Sequence, residues 1–430
     1  MEANFRESIV KPILGFSLGT YLEFLDFALY AALAPIFAVK FFPSEHQDVA
    51  ILYAWGVFAV SFLVRPFAGF ILGPLGDKLG VKKMLFFSMA LMGIATAAIG
   101  VLPTFLHVGF LSPLMLIVLR IVQGFAVSIE YGALSTYLLS MNNVKKHFGF
   151  YSSFTSFAVL LGIISGGILV ALVINNEATI DIPDWQWRLP FIICGLSVGV
   201  VGSYLRMSLK GIANKIKAPC QKPVLTLFKS QTPVLFLVIL ITGFVSISSY
   251  VLLGYLATYL QTVRHFYIKE SLMICNLLGL VMLCAVPLGG WISDKIGRAS
   301  LIRYFSFSMI FVSLVSMSLL AYGHGYAIGI GVLMLSINIG LLAGGIPALV
   351  TEVFYSNHRY TGVTIAYNTA VSWLGGTSPM VISYLMNKTS YELTPGVYMS
   401  FFACLSLMAA IALSKLANQK KSTTNLYGVA

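Results

Sequence analysis

Long apolar stretches separated by short polar ones make up almost the whole chain. Most of the stretches reach the ~20 residues that a helix needs to cross ~30 Å of hydrocarbon, and they lack the alternation with a period of two that is typical of membrane β-strands. We therefore predict an all-α membrane protein with twelve transmembrane helices, which places both termini on one side. The predicted helices lie at residues 12–40, 49–72, 84–102, 114–140, 148–174, 187–208, 233–262, 270–292, 301–321, 326–352, 362–386 and 396–416.

A short polar loop between two apolar stretches occurs twice in the chain. Residues 73–83 read GPLGDKLGVKK, and residues 290–298 read GWISDKIGR. Glycine, aspartate, lysine and glycine recur in the same order, with Asp77 and Asp294 at positions 217 apart (294 − 77). A period near half of the chain length is typical of membrane proteins built from two copies of one unit. The repeat therefore predicts two pseudo-symmetric six-helix bundles.

The longest polar stretch inside the chain predicts the boundary between these bundles. Residues 210–230 contain two prolines and many lysines. We predict an N-terminal six-helix bundle at residues 1–208, a cytoplasmic linker at 209–232, and a C-terminal six-helix bundle at 233–430 that ends in a short cytoplasmic tail. The lysines of the linker are expected to form a solvated face near anionic lipid.

The placement of the basic residues predicts the orientation in the membrane. Of the 27 Lys and Arg residues, 20 lie on the predicted side of the termini and five on the other side, while Arg65 and Arg120 lie within helices. Because loops rich in Lys and Arg remain in the cytoplasm, both termini are predicted to be cytoplasmic. We expect a multi-pass protein of the plasma membrane, which is the inner membrane of a bacterium.

The composition excludes several other classes of protein. The chain is 58% hydrophobic and 10% charged, with a mean hydropathy of +0.89, whereas a soluble domain carries about 25% charged residues. The net charge of +12 does not indicate a nucleic-acid partner, because the basic residues lie in short loops between apolar stretches. We see no grouping of His, Cys or carboxylates typical of a metal or nucleophile site. The expected partners are the bilayer and a small-molecule substrate, the expected functional unit is a monomer, and an enzyme is disfavoured.

Several motifs give the chain a resemblance to a known family. The first helix contains GTYLEFLDFALY at 19–30, and the second contains FLVRP at 62–66. The fourth contains RIVQG at 120–124 followed by EYG at 130–132. The sixth begins with WRLPF, and the eleventh is entered through RYTGVTIAYN. With these motifs the chain resembles the major facilitator superfamily, and within it the metabolite:proton symporter family of proline/betaine, shikimate, citrate and 2-oxoglutarate transporters. The resemblance implies the major facilitator fold and a secondary transporter.

Charged residues in the first and fourth helices are the candidates for proton coupling. Charges inside a bilayer are costly, so each needs a partner or a function. Glu23 and Asp26 are three residues apart and share one face of the first helix, and Arg120 lies in the fourth. We expect Asp26, helped by Glu23, to take up a proton and to pair with Arg120 when ionised; a static structural ion pair is the alternative. Glu130 is a further acidic candidate, for which a structural or gating role is the alternative. We expect the proton to be the coupling ion, and we expect no cofactor.

Aromatic and amide residues complete the predicted substrate site. Near Arg120 we expect Tyr30, Gln123 and Tyr131, since these lie on or near the same helix faces. The C-terminal half has few charges in its predicted spans. Its candidates, for which core or interface positions are the alternative, are Tyr250, Asn338, Asn368 and Trp373. Such a site suits a small zwitterion or quaternary ammonium. Arg65 is instead expected to snorkel towards the cytoplasmic end of its helix or to hold helix ends.

The two repeated loops predict a cytoplasmic gate. Asp77 is expected at the amino end of the eleventh helix, near Gly362, and Asp294 at the start of the fifth, near Gly149. A carboxylate there satisfies free N–H groups and the positive helix end; simple turns are the alternative. The complete set of predicted gate residues is Gly73, Asp77, Lys78, Gly80, Asp294, Gly297, Arg298 and Arg359.

These observations together predict a transporter that works by alternating access. We expect import of a small polar metabolite by proton symport, with an amino acid or betaine-like zwitterion favoured. A proton-coupled organic-acid transporter is the first alternative, and an uncoupled facilitator is the second. A channel, or a receptor on the same scaffold that binds ligand without flux, would be a different class of protein.

Overall fold

The computed structural model describes residues 2–42, 47–139, 142–173, 184–208, 222–266 and 268–426, at some positions by their backbone alone. About 92% of the described residues are helical, and the described ranges contain no strand. The α-helices of the first half are α1 (Glu2–Phe41), α2 (Gln47–Leu79), α3 (Val81–Val101), α4 (Phe105–Val108), α5 (Leu111–Leu139), α6 (Phe148–Val173), α7 (Asp184–Leu196) and α8 (Ser203–Ser208). The remaining α-helices are α9 (Pro223–Ser230), α10 (Thr232–Tyr250), α11 (Leu256–Thr262), α12 (Ile268–Ile296), α13 (Arg298–Tyr322), α14 (Tyr326–Val353), α15 (Arg359–Thr369), α16 (Ser378–Thr389) and α17 (Thr394–Leu426).

Three of the predicted transmembrane helices are interrupted by a π-helical turn. These turns are Ser197–Gly202 between α7 and α8, Val251–Tyr255 between α10 and α11, and Ala370–Gly375 between α15 and α16. A π-helical turn shifts the hydrogen-bond register of a helix and is frequent at functional sites. The apolar pattern alone does not reveal such turns, because the chain remains helical and apolar across them.

Ten helices of the described part are long and apolar enough to cross a membrane. Helical segments also cover the two other predicted spans, 187–208 and 362–386. Two short helices, α4 and α9, were not predicted. The second of these lies within the stretch that we assigned to the linker, where Leu227 is fully buried.

Several predicted helix bounds are wrong: α1 begins at Glu2 rather than 12, α17 ends at Leu426 rather than 416, and two helices extend into the repeated loops. Helix α2 continues past residue 72 to Leu79, and α12 continues past 292 to Ile296, so that the repeated aspartates lie in the last turns of helices rather than in loops. The chain leaves each helix at a glycine with positive φ, 86° at Gly80 and 89° at Gly297, a conformation that glycine adopts without strain. Pro74 is tolerated inside α2, as prolines are in membrane helices.

Two compact units divide the chain. The first consists of Met1–Ser140, Phe157–Val224 and Ser356–Asn368. The second consists of Met141–Ser156, Leu225–Tyr355 and Thr369–Ala430. Each unit thus contains one short segment from the opposite predicted half, and the predicted boundaries at 208 and 233 stay a prediction.

Within the second unit, glycines allow α12 and α14 to pack closely. A Cβ atom at Gly344 would meet the carbonyl oxygen of Val286 and come within 2.7 Å of the backbone nitrogen of Gly290. Small residues at such contacts are typical of helix pairs in membranes. Gly329 lies on the same helix, and a Cβ atom there would meet nothing within 4 Å.

Gly344→Ala is therefore expected to destabilise the protein, whereas Gly329→Ala is not. Both changes gain the same helix propensity, so their difference isolates the steric overlap at Gly344. We expect Gly344→Ala to lower the free energy of unfolding by ~1–3 kcal/mol, the usual cost of overpacking. Unfolding of both purified variants in one detergent measures this difference. Equal stability of the two would contradict the close packing of α12 on α14.

Candidate functional site

A buried ion pair joins α1 and α5 in the first unit. The guanidinium Nη1 of Arg120 lies 3.7 Å from Oδ2 of Asp26, and neither side chain has any exposed surface. Because isolated charges are costly in such surroundings, the two oppositely charged groups stabilise each other there. The structure thus brings together the two residues that the sequence placed in facing helices; their role in proton coupling stays a prediction.

Gln123 connects this pair to α3. Its Nε2 donates to Oδ2 of Asp26 at 2.9 Å and to the hydroxyl of Thr96 at 2.8 Å. Thr96 was not recognised from the sequence, although a threonine within the apolar stretch of α3 is a weak signal of a polar contact. Gln123 lies on α5, one turn beyond Arg120, and its amide thereby fixes the orientation of the carboxylate of Asp26.

Tyr30 forms the aromatic side of the same cluster. The guanidinium carbon of Arg120 lies 3.7 Å from the centre of the Tyr30 ring, a cation–π contact. The hydroxyl of Tyr30 donates to the carbonyl oxygen of Ala54 at 3.0 Å, and its ring stacks on Phe37 with 4.7 Å between centroids. The ring is therefore held in place from two further directions, and it presents a fixed face to the arginine.

Several polar atoms of this cluster are buried without a hydrogen bond from any residue that the structure describes. These atoms are the three guanidinium nitrogens of Arg120, Oδ1 of Asp26 and Oε1 of Gln123. Buried polar groups are nearly always hydrogen-bonded, and leaving one unsatisfied is costly. The cluster therefore has both donors and acceptors with which it can bind a polar ligand.

Two further charged residues of the first unit are buried close to the same helices. Glu23 lies one turn before Asp26 and has 1% of its surface exposed. Arg65 of α2 is fully buried, with its guanidinium 4.7 Å from the ring centre of Phe27 and 4.3 Å from that of Phe62. The expectation that Arg65 snorkels is therefore wrong. The rings of Phe27 and Phe62, which meet edge to face, hold its guanidinium inside the protein, which its position in the sequence did not indicate.

The other predicted site residues are placed as follows. The side chains of Glu130 and Tyr131 lie outside the described part of the structure. Asn368 belongs to the first unit, where its amide donates to the carbonyl oxygens of Ser128 at 3.0 Å and Thr364 at 2.8 Å.

The remaining candidates lie in the second unit. Asn338 is buried and donates to the hydroxyl of Ser308 on α13. Tyr250 ends α10 and packs against Gly375, where a Cβ atom would come within 3.0 Å of its ring. Trp373 lies in a π-helical turn, and half of its side chain is exposed. Their roles as substrate ligands stay predictions.

The last turn of α2, which contains Asp77 and is called the first repeated turn below, holds the start of α15. The last turn of α12, which contains Asp294, is called the second repeated turn. The carboxylate Oδ2 accepts from the backbone N–H of Thr361 at 3.1 Å and also from the Thr361 hydroxyl. Asp77 is 3% exposed. A negative charge at the first turn of a helix satisfies a free N–H group and the positive end of the helix dipole. This contact places Asp77 beside the residue that precedes Gly362, at the helix start expected from the sequence.

The other residues of the first turn support the same approach of α2 to α15. A Cβ atom at Gly73 would lie 3.0 Å from the Cα atom of Thr361, so this glycine permits close packing. Arg359 is the first residue of α15. Lys78 is exposed, and Gly80 provides the positive φ that ends α2.

The second repeated turn holds the start of α6 in the second unit. The two carboxylate oxygens of Asp294 accept from the N–H groups of Gly149 at 2.8 Å and Phe150 at 2.9 Å. Arg298 pairs with the same aspartate at 2.7 Å. It also donates to both oxygens of Glu352, through Nε at 3.3 Å and Nη2 at 3.4 Å. Three charged groups therefore stabilise this turn, and Glu352 is a partner that the sequence did not assign.

Comparison with known proteins identifies the family of this chain. The model of the Major Facilitator Superfamily matches residues 16–379. The chain is similar to the ectoine/proline transporter ProP of Corynebacterium glutamicum, with 28% identity over 94% of this chain and 84% of the relative. It is also similar to the proline/betaine transporter of Escherichia coli, with 27% identity over 95% of this chain and 84% of the relative.

Solved structures with the same fold include two proton symporters. The proton:xylose symporter XylE aligns with a TM-score of 0.73 and 15% identity over 95% of this chain and 96% of XylE. The transporter FucP in its outward conformation aligns with a TM-score of 0.71 and 12% identity over 94% and 99% of the two chains. Together with the helices described above, these alignments confirm the predicted fold class, an all-α membrane protein with two six-helix halves.

Proposed function

Because this chain belongs to the Major Facilitator Superfamily, a family of transporters and not of enzymes, we propose that it imports a small polar metabolite by proton symport. The protein is a multi-pass membrane protein and a solute transporter. The observation that carries the proposal of proton coupling is the fully buried pair of Asp26 and Arg120. A reversible charge in such a place links protonation to the contact between two helices.

The ion pair changes with the protonation of Asp26. The ionised carboxylate attracts Arg120 at 3.7 Å and accepts a hydrogen bond from Gln123. Burial disfavours the charged carboxylate, while the arginine and the amide favour it. A proton that enters neutralises Asp26 and leaves Arg120 as an uncompensated buried charge, which is unstable until another anion or a rearrangement compensates it. Glu23, buried one turn away, is the second acidic group available to the proton.

The favoured substrate is an amino acid or a betaine-like zwitterion. Supporting this class, the names of the relatives give proline, betaine and ectoine as their substrates. The cluster itself combines a guanidinium, a carboxylate, an amide and an aromatic face, which complement the two opposite charges of a zwitterion. An organic acid is the second candidate, favoured by the additional buried cation of Arg65.

In this proposal the two repeated turns act as the cytoplasmic gate of alternating access. Asp77 and Asp294 each hold the start of a helix, and release of these contacts opens the cytoplasmic side. Both termini face the cytoplasm of a bacterium, and the chain works as a monomer in the inner membrane. The proton is the coupling ion, and the proposal includes no other cofactor.

Uptake by purified protein in proteoliposomes tests this function. With an imposed inward proton gradient, we expect a labelled zwitterion from a panel of amino acids, betaines and carboxylates to accumulate above its external concentration. Preloaded unlabelled substrate should accelerate labelled uptake, because a carrier exchanges its substrate and a channel does not. Uptake that only equilibrates would indicate a facilitator, uptake without counterflow would indicate a channel, and binding without flux would indicate a receptor. Each of these results would contradict symport.

A further inference from the structure

Helix α5 presents a complete set of unused hydrogen-bonding groups at the buried pair. Arg120 and Gln123 are three residues apart and share one helix face. No residue that the structure describes makes a hydrogen bond with the three guanidinium nitrogens of Arg120 or with Oε1 of Gln123. The amide nitrogen, by contrast, is fully used by Asp26 and Thr96. Donors at one residue and an acceptor at the next turn therefore remain available to a ligand.

The ion pair with Asp26 leaves these donors free. The separation of 3.7 Å between Nη1 and Oδ2 exceeds the ~2.7–2.9 Å of a charge-assisted hydrogen bond. Asp26 therefore compensates the charge of Arg120 without using its planar fork of N–H groups. A carboxylate is the group that fits this fork with two parallel hydrogen bonds.

The free oxygen of Gln123 requires a hydrogen-bond donor on the ligand. An amide carbonyl oxygen accepts hydrogen bonds only, so the ligand must bring an N–H or O–H group to satisfy it. A primary or secondary ammonium has such N–H groups, whereas a quaternary ammonium has none. A buried acceptor left unsatisfied costs enough free energy to weaken binding by roughly tenfold or more.

We propose that Arg120 and Gln123 together recognise a solute with a carboxylate and an N–H-bearing ammonium, and that this carboxylate replaces Asp26 as the anion on Arg120 once Asp26 is protonated. This inference rests on the proposed transport function and narrows its substrate class to amino and imino acids over betaines. It also explains coupling by competition. One guanidinium charge is compensated by one anion at a time, so substrate binding favours protonation of Asp26 and protonation favours substrate binding.

Matched pairs of ligands test the recognition directly. The probes are proline with N,N-dimethylproline, glycine with trimethylglycine, and prolinamide, which lacks the carboxylate. Equilibrium binding to the purified full-length protein is measured in detergent. We expect proline or glycine to bind roughly tenfold or more tightly than its N-methylated partner, and prolinamide not to bind. Equal or tighter binding of the N-methylated members, no binding of either N–H member, or binding of prolinamide would each overturn the proposal.

Variants locate the preference in α5. Gln123→Met keeps the length of the side chain and removes its oxygen, so the ratio between N–H and N-methylated ligands should fall towards one. Ser406→Ala serves as the control, because it removes another buried polar group, bonded to Ser306 at 3.0 Å in the second unit, and should keep the wild-type ratio. An unchanged ratio in Gln123→Met would refute the role of its oxygen. If that variant does not fold, the ligand pairs on the wild-type protein still decide.

The same assay separates this inference from the transport proposal. Binding of proline should strengthen as the pH falls in the wild-type protein and lose most of that dependence in Asp26→Asn, in which Asp26 no longer competes for Arg120 and Glu23 is the acidic group that remains nearby. If the protein prefers the N–H ligands in binding but shows no proton-driven accumulation, the result contradicts symport and supports the proposed recognition. If substrate accumulates with the proton gradient but the N–H ligands bind no more tightly than the N-methylated ones, the result contradicts the proposed recognition and supports symport.

Discussion

Asp26→Asn is expected to abolish proton-driven accumulation of substrate while exchange across the membrane continues. The amide has nearly the shape of the carboxylate, and its oxygen can still accept from Nε2 of Gln123, which lies 2.9 Å from Oδ2 in the native protein. The amide carries no charge and takes up no proton, so the inward proton gradient no longer drives the accumulation of substrate. A gradient of one pH unit is worth about 1.4 kcal/mol per proton, which supports about tenfold accumulation with one proton. The variant should fall to an accumulation ratio of about one.

The measurement compares net uptake with counterflow in the same proteoliposomes. Glu270→Gln is the control, since it makes the same acid-to-amide change at an exposed position in the first turn of α12 and should accumulate substrate normally. Normal accumulation by Asp26→Asn would remove Asp26 from the coupling role. Loss of exchange together with accumulation would instead indicate a structural ion pair.

The second large effect is expected at the first repeated turn, where Asp77→Asn should shift the protein towards an open cytoplasmic side. The carboxylate accepts from both the N–H and the hydroxyl of Thr361. Hydrogen bonds to a charged group contribute about 1.5–3 kcal/mol, roughly twice the contribution of neutral ones. Removing the charge therefore changes the equilibrium by about tenfold, since this factor corresponds to about 1.4 kcal/mol.

Labelling of a single cysteine from the cytoplasmic side measures this shift. Thr364→Cys, in a background without the native cysteines, places the reporter at a buried position one turn into α15. Its labelling rate should rise about tenfold when Asp77 is replaced by Asn. Lys83→Gln provides the control, because it changes an exposed charge near the same turn and should leave the rate unchanged. An equal rate in Asp77→Asn would show that the turn has no gating role.

The parts of the fold that follow from hydrophobicity and charge could be predicted from the sequence. Asp26 and Arg120 were predicted to meet because each is costly in hydrocarbon without the other, and they lie 3.7 Å apart. The ends of α2 and α12 could not be predicted in the same way. Glycine and aspartate usually end a helix in water, whereas here the helices continue until the backbone adopts a positive φ at Gly80 and Gly297.

Contacts that depend on the shape of the surroundings also escaped prediction. The guanidinium of Arg65 contacts the rings of Phe27 and Phe62, and the sequence around this arginine gives no sign of the Phe27 ring that α1 contributes. Thr96 is one of many hydroxyl residues in apolar stretches, and only the position of Gln123 gives it a role in the site. Such partners are defined by helix rotation, which apolar periodicity fixes poorly when a helix is apolar on all sides.

The two copies of the repeated turn have diverged in how many charges they use. Arg298 links Asp294 to Glu352, but the position 217 residues earlier is occupied by Val81, which has no charge (298 − 217). At the second turn, the pair of Arg298 and Glu352 remains when Asp294 is lost, whereas at the first turn the charge of Arg359 acts on Asp77 itself. An inherited change at Asp77 would consequently remove the acceptor on which the Thr361 N–H depends, whereas a change at Asp294 would leave one ion pair of the second turn intact.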